Sequence, residues 1–443
     1  MTRKFSWIYA FFGTFVQAST STWHRRLVVH GVDQLPEGPV MLISNHQNGM
    51  EDPLACCITA PRQCHFLTRA DIFAKPSVDK LLRSMNMIPV YRPRDRRADA
   101  RDRNEDSFAR ARARLANGCI IALFPEGNHG NRYHLRKFKT GMARIGLQAL
   151  QEWAEDPNMP DDIQVVPVGL DYESFTDFRS ELLLSYGAPF SLNAFLDDYR
   201  RDQQAGVHAA TAEARRNLLP RMLHVENLDR HDALIAMRPV WRHLRFGKHA
   251  YNADLAQNLH EFQATTNRLE QLEDAAFSEL EGQFQAYQDA SAELGIAPHE
   301  ADLASRASGW KLRTALLLLL GLPLFLFGAI AGLPVWALTR FVVQKKVRDP
   351  HFKSSFGIAI PAFAGPLWML ILATVLVATV GWLWMPAVLI AAAGCGILAL
   401  PYRDRFLRWK RALNLARASR QHQTAYTRAE DALQALRSRL VAA

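Results

Sequence analysis

The sequence predicts an α/β fold, with a domain built on a mixed sheet followed by a helical region and C-terminal membrane hairpins. Short apolar stretches alternate with helical ones as far as residue 190, strand signals then cease, and two later stretches, 314–339 and 354–402, carry no charge. With 443 residues the chain is longer than one domain needs, and its hydrophobic residues, 49% of the total, are concentrated late. A soluble part is therefore joined to a membrane part.

Residues 1–26 include "MTRKFSWIYAFFGTFVQAS", whose basic start and short apolar run resemble a secretory signal. Phe11, Phe12, Phe15 and Val16 interleave with Gly13, Thr14 and Gln17, however, and Trp23, His24 and Arg25 follow. That pattern suits an amphipathic helix lying in the lipid interface. Residues 27–191 read as the α/β domain. "LVVHGVD" and "VMLISN" give strand, turn and strand over 27–45, and similar runs recur at 65–68, 87–91, 119–124, 162–170 and 181–187. Helical stretches at 71–85, 99–117 and 136–155 lie between them, so the sheet is largely buried.

Residues 192–310 are mostly helix formers. Leu255, Leu259, Phe262, Leu269, Leu272, Leu280, Phe284 and Tyr287 approximate a heptad seam, and 254–302 holds eleven acidic residues against one arginine, Arg268. A long acidic helix or helical hairpin is expected. In 311–403, both uncharged stretches exceed the roughly 20 residues that cross a bilayer. Lys311 and Arg313 precede the first, Arg340, Lys345, Lys346, Arg348 and Lys353 separate the two, and Arg403, Arg405 and Arg408 follow. All three flanks read as cytoplasmic, because Lys and Arg collect on that side. Each stretch would then enter and leave on one side, the first folding back at its two "GLP" sites (321–323 and 332–334) and the second near "GWLWMP" (381–386). Three plain transmembrane helices are the alternative. Residues 404–443 read as a basic helix with Tyr426, Ala429, Leu433, Leu436 and Leu440 on one face, expected to pair with the acidic segment.

The net charge of +10 brings no zinc-finger spacing, basic and aromatic alternation or arginine-glycine tract, so nucleic acid is not the expected partner. Anionic membrane lipid and phosphate-bearing substrates suit it better. Cys56, Cys57, Cys64, Cys119 and Cys395 are odd in number and lack metal-ligand spacing, which points to a reducing compartment, buried thiols and no metal.

Three loops carry candidate chemistry. "VMLISNHQNGMEDP" runs a buried strand into His46, placing it at the carboxyl end of a strand, where α/β sheets hold their sites. A histidine held in one tautomer by a carboxylate suits general-base work on a hydroxyl, and both Glu51 and Asp52 are within reach. "FPEGNHG" (124–130) follows another apolar strand and presents Glu126, Gly127 and Asn128. "MIPVYRPRD" (87–95) ends a strand with Arg92, a candidate phosphate clamp within a run of nine arginines between 92 and 114.

In this order and spacing the motifs resemble the glycerolipid acyltransferase family, whose members share a histidine-carboxylate motif, a G-x-x-P-x-x-R block, an F-P-E-G block and a later V-P block. The counterparts here are "NHQNGMEDP", "NMIPVYR", "FPEGNHG" and "VVPVG", within about residues 30–190. The resemblance implies transfer of a fatty acyl group from acyl-CoA or acyl carrier protein to a glycerol-derived hydroxyl, without a further cofactor. It implies His46 as the base and a nearby carboxylate as its partner. Arg92, Glu126 and Gly127 fall where the family binds glycerol-phosphate, and Pro167 falls in the block associated with the acyl chain. Asn45, Asn128, Lys137 and Lys139 are secondary candidates.

This chain departs from the pattern in three places. The family's usual histidine-to-aspartate spacing selects Glu51, whereas the proline that commonly follows its aspartate selects Asp52, the preferred partner here. Asn128 and His129 stand where the family usually has Thr-Arg or Ser-Arg, and Asn86 or Met87 replaces the first glycine of the second block. With the large C-terminal apolar region, the resemblance is closest to the glycerol-3-phosphate acyltransferase branch. The expected product is lysophosphatidate, in phosphatidic acid biosynthesis, with the catalytic domain on the cytoplasmic face of a membrane. Acylation of lysophosphatidate is the nearest alternative, and a non-catalytic membrane scaffold the alternative of another class.

Overall fold

The computed structural model describes residues 5–91, 100–130, 132–295 and 308–441. The chain divides into two compact units, Met1–His224 with Thr339–Phe363, and Val225–Leu338 with Ala364–Ala443.

The first unit holds an eight-stranded mixed sheet ordered β1-β7-β6-β2-β5-β3-β4, with β8 paired to β6. Its strands are β1 Arg26–His30, β2 Val40–Ser44, β3 Cys64–Arg69, β4 Met87–Val90, β5 Ile120–Leu123, β6 Gln164–Tyr172, β7 Glu181–Tyr186 and β8 Phe190–Ser191. β2 lies between β5 and β6 and is parallel to both, while β6 pairs antiparallel with β7 and β8. Strand β2 is buried along its whole length, as a central strand covered on both faces must be. On one face Met41, Ile43, Ile121 and Leu123 pack against helices α4 (Ala100–Ala116), α5 (Gly141–Trp153) and α7 (Gln203–Leu218). On the other, Val40, Leu42, Ile120 and Ala122 meet α1 (Trp7–Trp23) and α2 (Glu51–Thr59) through Tyr9, Ala55 and Cys56. The strands read as consecutive over 27–45 are not partners, since β1 pairs with β7.

Helix α1 is capped by Ser6, whose hydroxyl accepts the Tyr9 N–H. Tyr9, Val16 and Trp23 repeat every seven residues on its buried face, while Phe5, Trp7, Ile8 and Phe11 remain exposed. Helix α3 (Pro76–Ser84) leads to Asn86, which holds a left-handed φ of 62°, a conformation that glycine or asparagine takes at least cost. Asn86 therefore stands at the glycine position of the second block.

The unit boundaries differ from those read in the sequence. Helices α6 (Leu196–Arg201) and α7 bury Leu196, Tyr199, Val207, Ala210, Ala214 and Leu218 in the core of the first unit, which thus continues to His224 rather than ending at 191. Their apolar residues cover a sheet face that would otherwise meet water. Residues 339–363, read as the basic flank between the two apolar stretches together with the start of the second, also join this unit.

The second unit contains α8 (His231–Phe246), α9 (Leu255–Glu270), α10 (Asp274–Glu293) and α14 (Gln423–Leu440). The acidic stretch is two helices with different partners: α9 meets α8 through Phe262 and Trp241, while α10 pairs antiparallel with α14. Phe277, Leu280, Phe284 and Tyr287 of α10 and Ala425, Ala429, Leu436 and Leu440 of α14 are buried. Glu293 with Arg428 and Glu279 with Arg439 flank that seam.

Among the described residues, three helices are long and apolar enough to cross a membrane, Lys311–Lys346, Pro350–Val380 and Met385–Gln421. The expected fold-back of the first apolar stretch does not occur: α11 (Ser308–Phe341) runs unbroken through Pro323 and Pro334. Each proline costs the helix one internal bond, whereas a turn there would expose several backbone groups to lipid. Helix α12 (Lys353–Val380) does end near "GWLWMP". Helix α13 (Met385–Gln421) continues past residue 403 into the basic tail, so the boundary expected there is absent, and the break comes at His422. Within the second unit, α11 and α13 are antiparallel. The Trp409 indole donates to the Lys311 carbonyl and Tyr402 to that of Leu318, each at 2.9 Å, and Gly328 lies against the Cys395 backbone.

Candidate active site

The parallel register of β2 with β5, Ile43 opposite Leu123, brings their carboxyl ends side by side. His46 follows one strand and Phe124–Glu126 the other, so the two motif loops meet at one sheet edge. The Asn45 amide pins the first loop to β6, donating to the Leu170 carbonyl at 2.9 Å and accepting the Leu170 N–H at 2.8 Å. Asn45 is thus buried and occupied by backbone.

Beyond Asn45 the loop closes around Asp52. Asp52 Oδ2 accepts from His46 Nδ1 and from the backbone N–H groups of Gln47 and Asn48, each at 2.8 Å. Oδ1 accepts the Tyr172 hydroxyl at 2.6 Å. Burial and the neighbouring Asp52 and Glu51 carboxylates push the Tyr172 hydroxyl well above its usual pKa, so it stays a donor. Four donors fix Asp52, and Asp52 in turn assigns the His46 proton to Nδ1, leaving Nε2 as an acceptor. The His46 ring stacks on Phe124 at 4.5 Å between centroids and keeps 16% of its side chain exposed, whereas Asp52 is fully buried.

Glu51 turns away from His46 to a second histidine. One of its oxygens pairs with His24 Nε2 at 2.5 Å, and the other accepts the Asn48 amide at 2.8 Å. His24 and Glu51 are 1% and 0% exposed. Adjacent positions at the start of α2 thus send two carboxylates to two different imidazoles.

Glu126 joins the loops. Oε1 accepts the His46 N–H at 2.7 Å, and Oε2 accepts from Arg136 Nε at 2.8 Å. Arg136 also donates to the His46 carbonyl at 3.2 Å and to Asn128 Oδ1 at 2.7 Å. Both carboxylate oxygens of Glu126 therefore brace the base loop. Gly127, at φ 77°, makes the turn back to Phe124. Asn128, Lys137 and Lys139 are exposed beside it. Pro167 lies inside β6 opposite Ile43, below the level of His46. It falls between the stretches where β6 pairs with β8 and with β7, where a missing N–H leaves no ladder bond unmade. Arg92 lies outside the described residues.

His129 stands 5.5 Å from His46, ring to ring. Burial, His46 and His351 lower its pKa to about 4, against the opposing pull of Asp349 and Asp52. His24, Arg136, Tyr172 and His351 escaped the motif reading. A strand-end position could have flagged Tyr172, whereas nothing in sequence spacing connects His24 or His351 to the site.

Residues 26–171 match the family model described as Acyltransferase. They form an acyltransferase-family domain. The chain is 35% identical over 86 residues to an uncharacterized acyltransferase of Schizosaccharomyces pombe, covering 19% of this chain and 12% of that protein. It is 36% identical over 85 residues to glycerol-3-phosphate O-acyltransferase 2 of Saccharomyces cerevisiae, covering 19% and 11%. The match thus spans only a small part of these curated relatives. Among solved structures it is similar to the 1-acyl-sn-glycerophosphate acyltransferase PlsC of Thermotoga maritima, at 18% identity and TM-score 0.31 over 46% of this chain and 78% of that one. The acyltransferase-family domain contains His46, Asp52, Glu126 and Pro167 but neither His24 nor His351.

Proposed function

We propose that this protein is a membrane-bound O-acyltransferase that moves a fatty acyl group from acyl-CoA or acyl carrier protein to the hydroxyl of glycerol 3-phosphate. The observation that carries this reading is the His46–Asp52 pair, with one imidazole edge open at the carboxyl end of a central strand in an acyltransferase-family domain. His46 Nε2 takes the acceptor's hydroxyl proton as its oxygen attacks the thioester carbonyl. The tetrahedral adduct then collapses, the carbon–sulfur bond breaks, and the imidazolium returns its proton to the departing thiolate. The products are an ester and a free thiol, so histidine is regenerated without a covalent acyl-enzyme. Asp52 holds the tautomer and stabilises the imidazolium, while Glu126 and Arg136 keep the loop in place.

Glycerol 3-phosphate is preferred as acceptor because a matched yeast relative is named for that reaction and because the chain has a large apolar C-terminal region. The exposed aromatic residues of α1 support a first unit that rests on a membrane surface, proposed here as the cytoplasmic leaflet, where an acylated product can pass into lipid. Purified full-length protein, incubated with labelled acyl-CoA or acyl carrier protein and each acceptor in turn, tests the reading. Transfer to glycerol 3-phosphate is expected. Transfer only to lysophosphatidate overturns the acceptor, and no transfer by folded protein overturns the enzyme.

A further inference from the structure

The segment between α11 and α12 reaches the loop that carries His46. Gly49 of that loop has φ 51°, and a Cβ added to it would stand 2.5 Å from the His351 carbonyl oxygen. The Met50 N–H donates to Ser355 Oγ at 3.1 Å, and Gly357 lies directly beneath the Trp23 ring. The segment therefore touches the motif loop at Gly49 and Met50. These contacts also bring a third imidazole close: His129 is 5.0 Å from His351 and 5.5 Å from His46. His129 Nδ1 is buried and has no hydrogen-bond partner among the described residues. His351 Nδ1 is 3.1 Å from Asp349 Oδ1, which orients the ring. Residues 340–353 carry Arg340, Lys345, Lys346, Arg348 and Lys353 against the single carboxylate of Asp349, so the segment has a net positive charge.

We propose that His351 is an acceptor-specificity residue, holding with His129 the phosphomonoester of the acyl acceptor while the acceptor's hydroxyl lies at His46. This rests on the acyltransferase reading above. His46, His129 and His351 are successive neighbours, and in the acceptor the glycerol backbone likewise separates the hydroxyl from the phosphate. The unpartnered His129 nitrogen then gains a phosphate oxygen as its partner. An anion bound beside the two rings also offsets the mutual repulsion that disfavours a proton on His129. The phosphate belongs either to soluble glycerol 3-phosphate or to lysophosphatidate in the bilayer, and the two are separate arms of the test.

Full-length protein in detergent is assayed as wild type, His351→Ala and His351→Gln, with each phosphorylated acceptor and with monoacylglycerol, which lacks the phosphate. A hydrogen bond to a charged group corresponds to about a tenfold change in KM. His351→Ala is expected to raise the phosphorylated acceptor's KM by that factor, to leave the donor KM in place, and to lower selectivity over monoacylglycerol equally. His351→Gln, which keeps a donor, should recover part of the loss. An unchanged acceptor KM in active His351→Ala, or an equal rise in donor KM, overturns the proposal and leaves the enzyme reading standing. Calorimetric binding of glycerol 3-phosphate and lysophosphatidate separates the two claims. Weaker phosphate binding by His351→Ala in a protein that transfers no acyl group would sustain the site and remove the reaction, and binding equal to wild type for both ligands would remove the site.

Discussion

Two histidine–carboxylate pairs lie at the start of α2, and they differ in what surrounds them. His46 and Asp52 meet at the sheet edge with part of the imidazole open, stacked on Phe124. His24 and Glu51 meet in the interior, where neither side chain reaches solvent and Asn48 occupies the remaining carboxylate oxygen. The same chemical pair can act on a substrate only where one ring nitrogen stays accessible. The buried pair instead ties α1, through the residue that follows it, to the loop bearing the exposed pair. Position, rather than residue type, assigns the roles.

Removing the exposed imidazole should have the largest effect. His46→Ala is expected to lower kcat by about 10² to 10⁴, the range for losing a general base, with little change in melting temperature. Removing the buried carboxylate should act on folding instead. Glu51→Ala leaves His24 Nε2 without its carboxylate partner and the Asn48 amide with only the Phe175 carbonyl, and breaking a buried pair costs about 3–5 kcal/mol, measurable by denaturant unfolding. A normal unfolding midpoint for Glu51→Ala would erase the distinction between the pairs. Tyr172→Phe removes one of the four donors to Asp52 and should cost about tenfold in kcat, with the acceptor KM little changed. The smallest effect is in pH dependence. His129 and His65 are both lowered to about 4 by burial and nearby positive charge. Between pH 4 and the ordinary histidine value of about 6.5 the unfolded chain binds more protons, so stability should fall as pH drops through that window. Thermal unfolding of His65→Gln across the window should show a shallower slope than wild type.

Much of the sheet was legible because burial on both faces leaves unbroken apolar runs, as in "VMLIS" and "CIIAL". The pairing of α10 with α14 was legible from opposite charge and matching apolar faces. The choice between Glu51 and Asp52 was not legible from spacing alone. It depends on Gly49, whose left-handed backbone turns the loop so that the second carboxylate faces His46. The course of α11 misled because glycine and proline signal breaks in water, whereas an apolar surrounding keeps backbone bonds inside the helix. His24 and His351 were invisible for a different reason. Each meets the motif loop through contacts distant in sequence, and the local pattern around each describes only an interfacial helix or a basic flank.

The most direct measurement compares kcat for Asp52→Asn and Glu51→Gln in full-length protein, with melting temperature recorded for both. Asp52→Asn is expected to lose at least about 100-fold in kcat while remaining folded, because the His46 tautomer and imidazolium lose their carboxylate. Glu51→Gln should stay within about tenfold of wild type in kcat and lose stability instead. The reverse order in kcat would contradict the assignment of His46 to Asp52 as the working pair.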